Sequence, residues 1–246
     1  MNRPYIICHM LTTLDWKISG PALGTPEAAA LAGHYQKLHR LFHADATVYG
    51  NATIAEVFTK GRQPDLAPFQ GTILSREDYI ADPEADQYLI SVDPDGGIGW
   101  TGPVVQGHGP GYDGAHIIEI LQEDVSDSYL AYLRKAGISY PFGGKHVICF
   151  SDVCVKLHEH FGIKNMLLQG GGLLNSSFAA EDLIDELSLL IAPAADCGGQ
   201  QPSLFEMLPG LSGPIGPRRF IRRDVQLMGD SGLALQYVQN REEETK

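Results

Sequence analysis

The stretch that decides the fold is Asn165-Met166-Leu167-Leu168-Gln169-Gly170-Gly171-Gly172-Leu173-Leu174-Asn175. A short apolar run leads into three consecutive glycines, and a second apolar segment follows them. This order predicts a strand, a tight turn and the start of a helix. Glycines in such a turn let backbone N–H groups approach a ligand phosphate, and the helix N-terminus adds a favourable dipole. The same glycines also suit a purely structural turn, and they do not form the GxGxxG pattern of Rossmann folds.

Strands and helices alternate along most of the chain. Strands are predicted at 4–13, 45–50, 70–75, 88–92, 116–120, 146–150, 164–169 and 185–192. Helices are predicted from Thr25-Pro26-Glu27 to about residue 42, briefly from Thr53, over 126–136 and 151–160, and after the glycine turn to about Ala180. Two alternating segments, 219–228 and 233–238, flank Gly229-Asp230-Ser231-Gly232, which indicates a hairpin. The pattern predicts an α/β fold with a mixed, mostly parallel central sheet and a C-terminal antiparallel hairpin at its edge.

Length and composition favour one large folded domain. The chain has 246 residues, 43% of them hydrophobic, and no linker rich in Ser, Pro or Gln. We therefore expect a single domain over residues 1–240 and a disordered acidic tail over 241–246. The formal net charge of −12 argues against nucleic-acid binding, which needs clustered Lys and Arg. A local pocket on such a protein can still be basic enough to bind an anion.

Membrane insertion and metal binding are both disfavoured. No apolar run approaches the length of a membrane span, and the N-terminal apolar stretch is too short for a signal peptide. We expect a cytoplasmic protein whose four cysteines, which form no CxxC pair, are buried free thiols: Cys8, Cys149, Cys154 and Cys197. Two pairs of histidines, His39 with His43 and His158 with His160, lack a third ligand at a recognised spacing. We expect them to be exposed side chains on helices and expect no metal.

Four blocks of sequence resemble one family. The chain is similar to the bacterial reductases related to the C-terminal domain of the bifunctional riboflavin-biosynthesis deaminase/reductase, which has the dihydrofolate reductase fold. Residues 11–18 resemble the element S-L-D-G-K-I, and residues 44–53 resemble A-D-A-x-x-x-G-x-x-T. The glycine turn over 168–174 is the third block, and residues 183–193 resemble D-E-L-x-x-x-x-A-P. The resemblance implies a three-layer dihydrofolate-reductase-like fold and an NADPH-dependent reductase.

The resemblance also implies roles for individual residues. Asp15 and Lys17 would be catalytic, with Asp15 orienting the substrate or relaying a proton and Lys17 meeting a phosphate or carbonyl. Trp16 and Gln169 would contact the substrate. The cofactor would be bound by Gly50, Asn51 and Thr53 after the second strand, by Ser75 and Arg76 at the adenosine 2′-phosphate, and at its pyrophosphate by Gly170, Gly171, Gly172, Leu173, Leu174 and Asn175. An Arg fork and a hydroxyl suit a phosphate dianion.

Two positions depart from the family pattern. Trp16 replaces a small glycine, and Gln169 stands where the riboflavin enzymes carry a substrate-binding Glu. A neutral amide cannot offer the same charge-assisted acceptor. These departures leave the substrate open between a phosphorylated riboflavin precursor and a dihydrofolate or pterin. A nucleotide-binding protein without turnover is a further alternative. Arg76 also suits a solvated loop charge, and Asp15 also suits a turn carboxylate. The family implies a homodimer.

Overall fold

The computed structural model describes residues 2–207 and 216–241. In chain order the strands are β1 (Tyr5–Thr12), β2 (Ala46–Gly50), β3 (Tyr88–Val92), β4 (His116–Gln122), β5 (Phe142–Gly144), β6 (Asn165–Leu168), β7 (Glu186–Ile191), β8 (Phe220–Met228) and β9 (Gly232–Gln239). The helices are α1 (Pro26–Leu41), α2 (Asn51–Thr53), α3 (Asp127–Ala136), α4 (Phe150–Phe161) and α5 (Gly172–Ala180). A π-helical turn over Ile54–Phe58 continues α2, and short 3₁₀ turns lie at Pro21–Gly24 and Ala67–Phe69.

The chain divides into two compact units. Unit 1 contains Met1–Pro4 and Ala44–Met166, and unit 2 contains Tyr5–His43 and Leu167–Lys246. The division falls inside β6, between its second and third residues. The single domain expected over 1–240 stays a prediction. Of the expected disordered tail, residues 242–246 lie outside the described residues, whereas Arg241 donates a hydrogen bond to Asp185.

Unit 1 is a parallel sheet with a core formed by its strands, α3 and a long loop. Its strands lie in the order β5-β4-β3-β2, and each neighbouring pair is parallel. The glycine-rich loop between β3 and β4 contributes Ile98, Trp100, Val105 and Tyr112 to the buried cluster that contains Tyr129 of α3. The loop is therefore anchored in the core by its apolar side chains.

Unit 2 combines parallel and antiparallel pairing. β1 is parallel to β7, β7 is antiparallel to β9, and β9 forms the C-terminal hairpin with β8. Leu31 on α1 is buried against these strands, and Tyr35 and Leu38 pack beside it, at the three- and four-residue spacing of one helix face. The predicted α/β class, with a mostly parallel sheet and antiparallel C-terminal strands, is confirmed.

Several helix boundaries follow from capping residues that the sequence shows. The Thr25 side chain accepts a hydrogen bond from the Ala28 N–H, and Pro26 follows it as the first residue of α1. Ser126 caps α3 in the same way, accepting from the Tyr129 N–H. α3 ends at Gly137, whose φ of 73° is a left-handed conformation that glycine adopts without strain.

Two predicted strands are wrong. Residues 70–75 form no strand, and Ile73 is 87% exposed, because this apolar pattern has no neighbouring strand to pair with among the described residues. Residues 146–149 are irregular backbone, and Phe150 is the first residue of α4, one residue before the predicted start at 151. Gly143 of β5 lies close beneath Ile148, where a Cβ atom on the glycine would come within 2.7 Å of Ile148 Cγ2. The apolar residues of this stretch therefore pack over β5.

The histidine and cysteine predictions are partly corrected. His39 is buried, not exposed, because it lies on the inner face of α1. None of the four cysteines is in a disulfide; Cys8 and Cys154 are buried as expected, whereas Cys197 is exposed.

Candidate functional site

The glycine turn after β6 is shaped by neighbours within unit 2. Gly170 has a φ of 81°, and a Cβ atom there would lie 2.9 Å from Met10 Cε. A Cβ atom at Gly172 would overlap the carbonyl oxygen of Ser203. At Gly171 the nearest atom to such a Cβ would be Ile18 Cδ1, at 3.9 Å. The positive φ at Gly170 and the Ser203 carbonyl beside Gly172 therefore favour glycine at these two positions, while position 171 leaves room beside the turn.

The first turn of α5 offers backbone N–H groups at that open position. Helix geometry leaves the first four N–H groups without intrahelical acceptors. Asn175 is fully buried, and its Nδ2 donates to the Leu204 carbonyl at 2.9 Å. Its Oδ1 accepts no hydrogen bond within the part of the chain that the structure describes. One N–H of this amide is used by Leu204, so a phosphate bound at the turn would be held mainly by backbone N–H groups.

Asp15 lies in the loop after β1 and accepts three hydrogen bonds. Its Oδ1 accepts from the Thr13 hydroxyl at 2.6 Å and from the Asp196 N–H at 3.4 Å, and its Oδ2 accepts from the Cys197 N–H at 3.2 Å. The hydrogen bond from Thr13 is the largest cause that lowers the pKa of Asp15. A carboxylate with a lowered pKa stays ionised at neutral pH, so its arrangement suits orienting a donor group better than delivering a proton.

Lys17 is fixed by the segment that follows β7. Its Nζ donates to the Gln201 carbonyl at 2.9 Å and to the Ser203 hydroxyl at 3.0 Å. Since the Ser203 carbonyl also lies against Gly172, the segment brings the Lys17 side chain and the glycine turn to the same neighbour. The backbone carbonyl of Trp16 accepts from the Leu204 N–H at 2.9 Å, and the Trp16 side chain is exposed.

One segment thus organises the predicted residues of unit 2. Residues 194–206 contact the loop of Asp15, Trp16 and Lys17, and they also contact the start of α5. The Glu206 N–H, for example, donates to the Gly172 carbonyl and to the Ser176 hydroxyl. Gln169 is buried between β6 and the glycines. Sequence reasoning missed this segment because its polar, glycine-containing residues show no periodicity.

In unit 1 the predicted cofactor residues follow β2. The strand register places Gly50 opposite Val92, so the carboxyl ends of β2 and β3 meet. Asn51 begins α2, and its Nδ2 lies 3.5 Å from Oδ1 of Asp93, the residue after β3. Thr53 ends the same short helix. The carboxyl edge of a parallel sheet is where ligands bind in open α/β folds.

Ser75 and Arg76 lie in a loop that follows no strand of its own and that contacts Glu123, the residue after β4. The Ser75 hydroxyl donates to Glu77 at 2.9 Å. The Arg76 guanidinium forms an ion pair with Asp127 and donates to three backbone carbonyls, those of Leu74, Glu123 and Val125. It therefore joins its loop to the N-terminus of α3. The 2′-phosphate role stays a prediction, and a phosphate there would have to displace these partners.

One buried acid, Asp93, contacts Asn51, and a second, Glu119, lies close to Asp93; neither was among the predicted site residues. Asp93 is 3% exposed, and Glu119 of β4 is fully buried. Desolvation and then the neighbouring Asp93 carboxylate raise the pKa of Glu119 well above its usual value. A signal was present, since Glu119 is the one acid in the apolar run His116-Ile117-Ile118-Glu119-Ile120. A charged residue inside such a run requires a partner.

Metal ligation and membrane insertion find no support in residues 2–207 and 216–241. Across those ranges no group of three or more His, Cys, Asp or Glu side chains is placed to hold a metal ion. None of the helices in the same ranges is long and apolar enough to span a bilayer.

Comparison with known proteins supports the resemblance. Residues 121–217 match the RibD C-terminal domain family. A pyrimidine reductase-like protein from Corynebacterium diphtheriae aligns with 98% of this chain over 94% of its own, at 16% identity and a TM-score of 0.68. Acinetobacter baumannii RibD aligns with 98% of this chain over 59% of its own, at 15% identity and a TM-score of 0.61. No curated protein matches the chain.

A third structure carries a fuller description. A Thermotoga maritima diaminohydroxyphosphoribosylaminopyrimidine deaminase/5-amino-6-(5-phosphoribosylamino)uracil reductase aligns with 97% of this chain over 57% of its own, at 16% identity and a TM-score of 0.55. This chain thus spans little more than half of the two longer proteins. At these identities the structural matches show a shared fold. The resemblance to the riboflavin-biosynthesis reductases is therefore confirmed, by the fold along nearly the whole chain and by the RibD C-terminal domain over residues 121–217.

Proposed function

We propose that this chain is an NADPH-dependent reductase that transfers a hydride to a carbonyl or imine carbon of a small heterocyclic or sugar-phosphate substrate. The observation that carries the proposal is the glycine turn at the carboxyl end of β6, which lies within the match to the RibD C-terminal domain. Gly171 leaves room beside the first N–H groups of α5, which helix geometry leaves without acceptors inside the helix, and this combination suits a pyrophosphate. Gly50, Asn51 and Thr53 follow β2 and would bind another part of the cofactor.

The protein's own residues would bind and orient, while NADPH supplies the hydride. The backbone of Gly170, Gly171 and Gly172 would hold the pyrophosphate at the start of α5. Asp15 is ionised and would accept a hydrogen bond from a substrate hydroxyl or amine. The ammonium group of Lys17 would attract a substrate phosphate. Because the pKa of Asp15 is lowered, we assign delivery of the proton to water.

The substrate class follows from the same residues. The Thermotoga maritima protein is described as a reductase of 5-amino-6-(5-phosphoribosylamino)uracil, which carries a phosphate, a sugar and a heterocycle. Lys17 suits the phosphate of a compound of this type. Gln169, a buried neutral amide, can both donate to and accept from a heterocycle edge. We therefore propose a phosphorylated ribosylaminopyrimidine as the substrate.

The test is NADPH binding followed by turnover. Wild-type protein should quench NADPH fluorescence on binding and should oxidise NADPH only when the phosphoribosylaminouracil compound is added. Gly171→Asp places a negative charge at the turn and should weaken NADPH binding by at least tenfold, about 1.4 kcal/mol. Gly33→Asp is the matched control, because a Cβ atom at this position of α1 would have no other atom within 4 Å. Equal affinities of the two variants would refute the pyrophosphate placement.

The remaining alternatives give distinct outcomes in the same assay. Oxidation of NADPH with dihydrofolate or a pterin, but not with the pyrimidine, would indicate a pterin reductase. Binding of NADPH with no turnover of either compound would indicate a nucleotide-binding protein that lacks reductase activity.

We further propose that the protein forms a homodimer through β8. This strand ends the strand order of unit 2 and pairs with β9 on one side only within the described residues. Leu227 is 84% exposed, and Ile221 and Val225 are also exposed. A two-fold axis between Arg223 and Asp224 would set each of these charges opposite its counterpart. Leu227→Lys should give a monomer by light scattering, whereas Ile73→Lys, an equally exposed control in unit 1, should not.

A further inference from the structure

The buried acids of unit 1 occupy one small volume at the ends of two neighbouring parallel strands. The register of β3 and β4 pairs Ser91 with Glu119, and Asp93 follows two residues after Ser91. Glu119 is 0% exposed and Asp93 is 3% exposed. Both side chains contact the same phenol, because the Tyr129 hydroxyl lies 3.4 Å from Asp93 Oδ2 and 3.4 Å from Glu119 Oε1.

The two carboxyl groups have different hydrogen-bond partners. Oδ2 of Asp93 accepts from the backbone N–H groups of Gly97 at 2.6 Å and Ile98 at 3.0 Å. Glu119 has neutral side-chain partners: its Oε2 accepts from the Trp100 indole at 2.7 Å, and its Oε1 lies 3.3 Å from the Ser91 hydroxyl. Two backbone N–H groups therefore point at one oxygen of Asp93, an arrangement that favours a charged acceptor, and the described partners of Glu119 include no such pair.

Within the described residues, neither acid forms an ion pair with a Lys, Arg or His side chain. Tyr129 and Tyr132 of α3 face it, and Arg62 acts on Tyr132 from the loop after the π-helical turn. Burial raises the pKa of Glu119, and the Asp93 carboxylate raises it further. Two negative charges in one buried cluster repel each other strongly, so one of the two acids holds a proton.

We propose that Asp93 and Glu119 form an acid pair that holds one proton, on Glu119, and that the charge left on Asp93 positions Asn51 for the cofactor. Asp93 Oδ1 lies 3.5 Å from Asn51 Nδ2, so the carboxylate orients the amide through its remaining oxygen. The same carboxylate holds the Gly97 and Ile98 backbone, which places the loop against α3. Asp93 is thus a positioning residue that acts through Asn51. The inference rests on the proposed function, since it takes Asn51 as a cofactor contact.

The pair makes an asymmetric prediction for two isosteric substitutions. Glu119→Gln keeps a neutral side chain that donates to Asp93 and accepts from Trp100. Asp93→Asn removes the charge and, in one orientation of the amide, turns its NH2 group toward the N–H groups of Gly97 and Ile98. The more deeply buried acid is therefore the more replaceable one, which is the reverse of the order that burial alone predicts.

The experiment compares NADPH dissociation constants by fluorescence for wild type, Asp93→Asn, Glu119→Gln, Asn51→Ala and the double variant Asn51→Ala/Asp93→Asn. Asp93→Asn should weaken NADPH about tenfold or more, which is typical of a lost charged hydrogen bond, and Glu119→Gln less than about threefold. The double variant should bind no more weakly than the weaker single variant, because both changes break one contact. Asp113→Asn is the matched control, since Asp113 caps the His108 and Gly109 N–H groups elsewhere in the same loop.

Three results would overturn the proposal. The first is a loss of affinity in Glu119→Gln equal to that in Asp93→Asn, the second is additive losses in the double variant, and the third is an equal loss in Asp113→Asn. If wild type binds no NADPH, the proposed function fails, and the proton on Glu119 is then tested by unfolding. The pair is upheld if Asp93→Asn lowers the unfolding midpoint and Glu119→Gln does not, and it is refuted if both lower it equally.

Discussion

Asp15 in unit 2 and Glu119 in unit 1 are both acids near the predicted site residues, but their environments are opposite. Asp15 is partly exposed and accepts hydrogen bonds from one hydroxyl and two backbone N–H groups, which lower its pKa. Glu119 is fully buried beside a second carboxyl, and its pKa is raised. The difference shows that solvation and partners, not residue type, decide which acid is charged. Asp15 can therefore act on a substrate as an anion, while Glu119 forms hydrogen bonds within the protein core.

The largest expected effect comes from truncating the buried acid. Glu119→Ala leaves a cavity and deprives the Trp100 indole N–H of its acceptor, so we expect a loss of about 3 kcal/mol in the free energy of unfolding. Chemical denaturation measures it. Glu119→Gln keeps the volume and the acceptor and should lose under about 1 kcal/mol. Similar losses in both variants would mean that Glu119 stabilises the fold through an ionised carboxylate, which glutamine cannot supply, rather than through its volume and bonds.

The next largest expected effect is a difference in stability cost between substitutions at two adjacent glycines of unit 2. Gly172→Ala forces the Ser203 carbonyl to move, and we expect it to cost about 2 kcal/mol, as overpacking does. Gly171→Ala meets only Ile18 at 3.9 Å and should change the stability by less than about 0.5 kcal/mol. Thermal unfolding of the two variants provides the comparison. Equal costs would show that the room beside Gly171 is already filled by protein.

Removing the charge of the exposed acid should affect turnover more than binding. Asp15→Asn keeps the shape of the side chain, and we expect kcat to fall about tenfold or more while the NADPH dissociation constant changes less than about twofold. Steady-state kinetics with the pyrimidine substrate and fluorescence titration measure the two quantities. A large change in NADPH affinity would instead place Asp15 at the cofactor.

The smallest effect is a difference in the sign of two pH dependences. The folded-state pKa of Glu119 is raised, so its contribution to stability is full below the ordinary glutamate pKa and is lost as the pH rises above it. The folded-state pKa of Asp15 is lowered, so its contribution is present above the ordinary aspartate pKa and is lost as the pH falls. Glu119→Gln should flatten the alkaline side of the stability profile, and Asp15→Asn the acidic side. The test is to measure the free energy of unfolding from about pH 3 to about pH 8, a range that brackets the ordinary carboxyl pKa values. Equal slopes of stability against pH in the two variants would contradict the assignment.

Local signals in the sequence predicted much of the fold. Thr25-Pro26-Glu27 and Ser126 are capping residues whose effect depends on their own helix, so α1 and α3 begin where the sequence indicates. The run Tyr88–Val92 has turn residues on both sides and was predicted with its observed bounds. Residues 70–75 have an equally suitable composition and form no strand. A strand needs a neighbour for its backbone hydrogen bonds, and composition does not show whether one is present.

The candidate site shows the same difference between features that local sequence predicts and features that need distant partners. The glycine turn and the loop of Asp15 and Lys17 are visible as motifs, since each needs particular residue types in consecutive positions. The partners of these motifs are distant in sequence: Lys17 bonds to Gln201 and Ser203, and Gly172 meets the Ser203 carbonyl. Arg76 was predicted as a phosphate ligand from its charge, and the structure pairs it with Asp127. No pattern in the sequence indicates that pairing.

The sequence by itself determined the alternation of strands and helices, the C-terminal hairpin and the place of the glycine turn. These features depend on local propensity, capping and backbone freedom, which act over a few neighbouring residues. Only the tertiary structure decided which acids are charged, which glycines are needed for packing and which cations are already paired. Each of these depends on desolvation and on atoms that the fold brings from distant parts of the chain, as with Asp93 and Glu119 at the ends of two neighbouring strands.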